Sequence, residues 1–143
     1  MKSYFFKPGN NKDKIEKLIQ IFKHPSNLHI AVAYFNSDIF AELILNRFEK
    51  RYNTFLLVNT SDLLRPQEIG DSEIAISQAL MKVILADKNQ NYIHIRSLGI
   101  RAKGKYQNMH HKFYLNQETV LFGSLNLTNA ALNRNLETLL EIS

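Results

Sequence analysis

The 143-residue sequence has no cysteine. Disulfides, thiolate zinc sites and cysteine nucleophiles are therefore excluded. No apolar run approaches the ~20 residues that a membrane-spanning helix needs. The start, Met1 to Asn10, carries two lysines but no apolar stretch of the kind that marks an export signal. These absences lead us to expect a cytoplasmic protein without integral membrane association. There is no internal repeat, linker or low-complexity stretch either, so residues 1–143 are expected to form a single domain. Hydrophobic residues make up 45% and charged residues 22%, a composition that excludes disorder or coiled coil for the bulk of the chain. Lysine and arginine number 18 against 13 acids, a formal charge of +5. That balance favours a polyanionic partner, either nucleic acid or an anionic membrane surface.

Hydrophobic periodicity divides the chain into alternating elements. Asn11 to Lys23 places Ile15, Leu18, Ile19 and Phe22 at helical spacing, with lysines and acids on the other faces and Pro25 as a stop. Leu28 to Phe35 and Thr54 to Thr60 are short apolar runs of the buried-strand type. Between them Ser37 and Asp38 offer cap oxygens to a helix over 38–51, with Phe40, Leu43, Ile44 and Phe48 facing inward. Ser61 to Gly70 reads as a loop. Asp71 or Ser72 would cap a third helix carrying Ile76, Leu80, Val83 and Ile84, and a strand follows over 92–96. Strands over 111–115 and 119–122 flank a turn at Asn116 to Glu118. A bend at 123–126, a short helix at 128–132 and a strand at 136–142 complete the chain. Helix–strand alternation followed by a hairpin predicts an α/β fold, a mixed β-sheet flanked by helices.

Chemistry concentrates in His110-His111-Lys112, in Gly123-Ser124-Leu125-Asn126 and in Glu137. Residues two apart on a strand share a face, so His110 and Lys112 point one way and His111 the other. An imidazole beside a fixed ammonium suits attack on a phosphodiester. The ring acts as nucleophile while the ammonium, helped by an asparagine amide, stabilises charge developing on the phosphoryl oxygens. A carboxylate on the far ring nitrogen would fix the tautomer. The adjacent histidines face opposite ways and cannot converge on one ion without a bulge. No metal and no cofactor is expected, because lysine and histidine supply the electrostatics that metal ions give elsewhere in phosphodiester cleavage.

Over HHKFYLNQETVLFGSLNLTNAALNRNLETLLEI, residues 110–142 and about a quarter of the chain, the sequence resembles the phospholipase D superfamily, in particular its small bacterial nucleases. Their signature is H-x-K, four residues, Asp, then Gly-Ser-x-Asn, with Glu about one strand later. The resemblance implies a phospholipase D/nuclease-like fold. It implies His110 as the phosphohistidine-forming nucleophile or its acid partner, and Lys112 and Asn126 as phosphate ligands. It further implies Ser124 as a site hydroxyl and Glu137 as the carboxylate that orients a histidine. The motif's aspartate is replaced by Gln117 on strict count, or by Asn116 if the hairpin is one residue shorter; Asn116 suits a turn.

The two-step mechanism needs one histidine to attack and another to protonate the leaving oxygen. None of His24, His29, His94 and His111 has a lysine two residues later, so the chain carries half a site. A homodimer with one composite site is expected; the alternative is a different protein supplying the other half. Arg101, Lys103 and Lys105, in a basic stretch entering the H-x-K strand with Tyr106 available to stack, are candidate substrate-binding residues. Together these readings point to a metal-independent phosphodiesterase, a DNA endonuclease of low sequence selectivity, with DNA preferred to RNA as partner and a delivery or restraining protein as a conjectured further partner. The alternatives are a catalytically degenerate nucleic-acid-binding subunit and a lipid phosphodiesterase acting on a cardiolipin-type headgroup.

Overall fold

Helix α1 (Asn11–Lys23) buries Leu18, Ile21 and Phe22 beneath it, and β2 (Leu28–Ala31) follows after a short turn. The computed structural model describes residues 1–9, 11–59, 77–98, 101–102, 105–106 and 112–143. Helix α2 (Asp38–Glu49) starts at Ser37, whose hydroxyl accepts from the Phe40 N–H. Its buried face is Phe40, Ala41, Ile44 and, unexpectedly, Arg47. After β3 (Thr54–Asn59), helix α3 (Gln78–Ala86) is capped by Ser77, not by Asp71 or Ser72, which lie outside the described residues. The loop read at 61–70 lies outside them as well. Then come β4 (Ile93–Leu98), β5 (Arg101–Ala102), β6 (Lys105–Tyr106), β7 (Lys112–Leu115), β8 (Val120–Gly123), α4 (Asn129–Asn133) and β9 (Glu137–Ile142).

Seven strands form one sheet in the order β1-β9-β8-β7-β2-β3-β4, where β1 (Lys2–Phe6) is an edge strand that the periodicity did not reveal. The run β2-β3-β4 is parallel, β7 joins β2 antiparallel, and β7-β8-β9-β1 is antiparallel throughout. The expected mixed sheet is present. Strands β5 and β6 form a separate two-stranded ribbon. Helices α1, α2 and α3 pack against one another in sequence and α4 docks on α1. The core lies between them and the sheet, where Phe22 and Phe40 meet edge to face at 4.9 Å above Ile30, Leu56 and Tyr114. Strand β2 ends at Ala31 rather than running to Phe35: Val32 N still bonds to the Leu57 carbonyl of β3, but the N–H groups of Ala33 and Tyr34 bond to a side chain instead of a neighbouring strand.

The two ends of the parallel strands differ in character. At the N-terminal end the buried Arg47 guanidinium donates to Thr54 Oγ1 and to the carbonyls of Phe22, His24, Ser26 and Asn53, tying three chain turns together. Burial lowers its pKa to about 10, so it stays charged at neutral pH. Asp87, just past α3, closes the approach to β4. Burial alone would raise its carboxyl, but N–H donors from Ile93, Tyr92 and Asn91 outweigh burial and hold it below the ordinary value. The folded carboxyl therefore binds a proton less readily than the unfolded one. Its stabilisation is complete above the unfolded value, about pH 4, and is lost as pH falls through the folded value. Glu141, held low by hydrogen bonds from Lys17 and Tyr4, adds to the same acid-side loss. Thermal melts across pH 2–7 are expected to fall steeply below about pH 4, and Asp87→Asn to flatten part of that fall while melting lower at pH 7. An unchanged acid limb in Asp87→Asn would contradict this account.

Candidate active site

The C-terminal end of the parallel strands is where the motif residues gather. Lys112 opens β7, half-buried, and pairs with Gly123 on β8, which in turn pairs with Leu139 on β9. By strand alternation Lys112 lies on the same side as the fully buried Tyr114, the side covered by the helices. Beyond Gly123 the chain bends at Ser124. Leu125 and Leu127 are buried, while Ser124 is exposed and Asn126 half-buried. Buried Tyr114 secures this bend by donating from its hydroxyl to the Leu125 carbonyl at 2.6 Å. Burial and the nearby Glu137 carboxylate raise the Tyr114 pKa well above its usual value, so it remains a donor.

Asn126 spans two segments. Its Oδ1 accepts from Ala33 N at 2.9 Å and Tyr34 N at 3.2 Å. Two N–H donors on one edge assign the amide oxygen to that edge and turn Nδ2 away from the β2 loop. The side chain is thus fixed by its oxygen to the loop after β2. The Leu127 carbonyl accepts from Asn36 and Ser37, and a bridge joins Phe35 to Leu127, so the loop after β2 is tied to the segment that follows the Gly-Ser-x-Asn bend.

Glu137 begins β9 and is buried, with 5% of its surface exposed. The Ser124 hydroxyl donates to Glu137 Oε2 and accepts from Thr138 N. Both roles of that hydroxyl are engaged, which makes Ser124 the holder of Glu137. The structure therefore brings Lys112, Ser124, Asn126 and Glu137 to one end of the sheet. His110 and His111 lie outside the described residues, as does Lys103. Arg101 and Lys105 fall on the β5–β6 ribbon, in which Arg101 pairs with Tyr106 and Ala102 with Lys105.

Between Asn116 and Gln117, the hairpin gives an answer. Asn116 Oδ1 accepts from Glu118 N and Thr119 N, both at 2.9 Å, and its backbone N–H bonds to the Thr119 carbonyl. Asn116 thus performs the turn-closing hydrogen bonding, while Gln117 is exposed.

A charged residue near the site went unrecognised in the sequence. Periodicity puts Lys14 with the lysines and acids on the other faces of α1, but it is fully buried and donates to the carbonyls of Ala131 (3.0 Å) and Asn135 (2.7 Å). Glu137 lies within its electrostatic reach. The signal was available, because Lys14 lies four and seven residues before Leu18 and Ile21 and so shares their helical face.

Comparison with known proteins places this geometry. A family model described as cardiolipin synthase, PLD-like domain, matches residues 18–143. No curated protein matches the chain. Among solved structures, NucT from Helicobacter pylori superposes with a TM-score of 0.71 at 19% identity, over 98% of this chain and 84% of that one. Nuc from Salmonella typhimurium, a phospholipase D family member, gives 0.66 at 15% identity, over 99% and 82%. A phosphatidylserine synthase of Haemophilus influenzae Rd KW20 gives 0.71 at 14% identity, but this chain covers 33% of its length. No described helix is long and apolar enough to cross a membrane. With the match spanning nearly all of the chain and the same mixed α/β architecture in its structural neighbours, the protein belongs to the PLD-like domain family, whose members are phosphodiesterases.

Proposed function

We propose that this protein is a metal-independent phosphodiesterase that cleaves DNA with little sequence selectivity, acting as a homodimer with one composite site and residues 1–143 as a single domain. The observation that carries this reading is the convergence of Lys112, Asn126 and the Ser124–Glu137 pair at one end of the sheet. A lysine and an amide whose oxygen is already engaged suit a phosphate's non-bridging oxygens, and a held carboxylate suits a histidine. The nuclease neighbours support a nucleic-acid substrate. So does the archaeal chromatin protein TrmBL2, described by a novel mode of DNA binding, which superposes with a TM-score of 0.58 at 16% identity over 99% of this chain and 45% of its own length. The formal charge of +5 and the basic ribbon residues Arg101 and Lys105, with Lys103 between them, fit backbone contacts without base reading.

The reaction runs in two displacements. The His110 imidazole attacks phosphorus, forming a P–N bond as the P–O bond to the leaving nucleotide breaks. His110 of the partner subunit gives that oxygen its proton. The partner's His110 then takes a proton from water, which attacks phosphorus and breaks the P–N bond, freeing the phosphate end. Lys112 and Asn126 stabilise the charge on the phosphoryl oxygens in both steps, and Glu137 holds an imidazole by its second nitrogen. A cytoplasmic enzyme of this kind needs restraint, which the conjectured protein partner would supply.

The test is incubation of the purified protein with plasmid and oligonucleotide DNA in excess EDTA, alongside sedimentation. Cleavage in EDTA by a species of twice the chain mass, with an acid-labile phosphoryl label on the protein, is the expected outcome. Absence of cleavage by a folded dimer, or cleavage only on metal addition, overturns the proposal. The cardiolipin synthase description of the family and the phosphatidylserine synthase neighbour favour a second reading, a phospholipid headgroup at the same site. Turnover of anionic phospholipid vesicles without DNA cleavage would select it.

A further inference from the structure

Lys14 has no place in the two-displacement scheme, yet it is a fully buried cation whose ammonium bonds to the carbonyl of Asn135, two residues before that scheme's carboxylate. It projects from the first turn of α1 across to the far end of α4. There its ammonium donates to the Ala131 carbonyl within the helix and to the Asn135 carbonyl, two residues before Glu137. The segment entering β9 is thereby fixed at its last turn. On the other side Glu137 is held by Ser124. The carboxylate is held by the Ser124 hydroxyl and lies within electrostatic reach of the buried Lys14 ammonium and of the buried Tyr114 phenol of β7.

We propose that Lys14 is a positioning residue of the active site: it pins the chain leading into Glu137 and supplies the buried positive charge that keeps this carboxylate in place as an acceptor. The proposal rests on the phosphodiesterase reading, in which Glu137 orients a histidine.

The energetics speak against a purely stabilising role. Burial lowers the Lys14 pKa below its ordinary value even though Glu137 pulls it back up. The folded chain then holds that proton less tightly than the unfolded chain, so at neutral pH the buried charge reduces stability. An apolar side chain of similar length would fill the site without this penalty. Two carbonyl hydrogen bonds explain why a donor is tolerated there. Glu137 is the carboxylate whose charge offsets part of that burial.

Two measurements separate this role from simple helix capping. The first needs no enzymatic activity: an NMR titration of the Lys14 side chain in the wild type and in Glu137→Gln. Lys14 is expected to titrate at lower pH in the variant, having lost the charge that raises it; an unchanged titration overturns the proposal. The second is steady-state cleavage by Lys14→Met, Glu137→Gln and the double variant. Lys14→Met is expected to lower kcat about tenfold with KM for DNA unchanged, and to add nothing once Glu137 is glutamine. Losses that multiply in the double variant, or a folded Lys14→Met with wild-type kcat, overturn it. If Lys14→Met does not fold, the titration in Glu137→Gln still decides the pairing. A wild-type protein that cleaves nothing while the Lys14 titration shifts would sink the nuclease reading and uphold the pairing.

Discussion

Replacing His110 with alanine is expected to reduce DNA cleavage on the order of 10⁴-fold or more, with the fold and the dimer intact. The size follows from the chemistry. In the proposed mechanism, removing His110 leaves no group to form the P–N bond, and in a symmetric dimer it also removes the acid that protonates the leaving oxygen. Both steps fail together, so kcat collapses while KM changes little. Lys112→Met, by comparison, removes an electrostatic stabiliser and leaves the nucleophile. A loss of about 10²–10³-fold in kcat is expected, the usual scale for one donor to a developing oxyanion. Binding should also become less salt-sensitive by roughly one phosphate contact. The check is single-turnover cleavage in EDTA across a range of salt, with circular dichroism and sedimentation on each variant. A His110→Ala dimer that cuts at the wild-type rate would remove the double displacement. If it binds DNA as the wild type does and the wild type does not cut, the protein is a binding subunit.

The contrast between Lys112 and Lys14 shows how far the sequence alone could lead. Lys112 was legible because its partners are near in sequence: a strand, a turn and a bend bring the Gly-Ser-x-Asn segment back beside it, and hairpin register follows from local spacing. The helix and strand positions over 11–59 were legible for the same reason, since each carries its own apolar period. What escaped depends on contacts far apart along the chain. Lys2–Phe6 has a single buried side chain, Phe6, and becomes a strand through pairing with β9 at the opposite end of the sequence. Arg47 and Lys14 look like solvated residues of amphipathic helices, but unpaired carbonyls at chain turns draw each inward. Phe35 looked like the end of a strand, and only the side chain of Asn126 shows why β2 stops earlier. At the hairpin the interval leaves Gln117 and Asn116 both open for the replaced Asp, and the hydrogen bonds select Asn116, the residue suited to a turn.

Gly123→Ala is expected to be the most damaging single-methyl change in the described chain. Gly123 sits at φ +157°, a backbone conformation suited to glycine, and lies in the middle of three paired strands, bonded into the β7–β8–β9 ladder. A Cβ there would stand 2.1 Å from the Thr138 carbonyl oxygen and 3.0 Å from its carbon. Both are backbone atoms, so no rotamer change relieves the clash; β8 must separate from β9. That separation falls where Ser124 N bonds to the Thr138 carbonyl and where the Ser124 hydroxyl holds Glu137. A loss of ~3 kcal/mol or more is expected, a fall in Tm of roughly 6–12 °C for a chain of this length. Cleavage should drop further than the unfolded fraction explains, because the carboxylate loses its place even in molecules that remain folded. Ser124→Ala separates the two effects. It introduces no clash, deletes the hydroxyl link, and should lower kcat with a Tm change of a few degrees at most. If Gly123→Ala melts like the wild type, the close approach of β8 and β9 at this residue is not what holds the site. If Ser124→Ala leaves kcat unchanged, Glu137 does not depend on that hydroxyl.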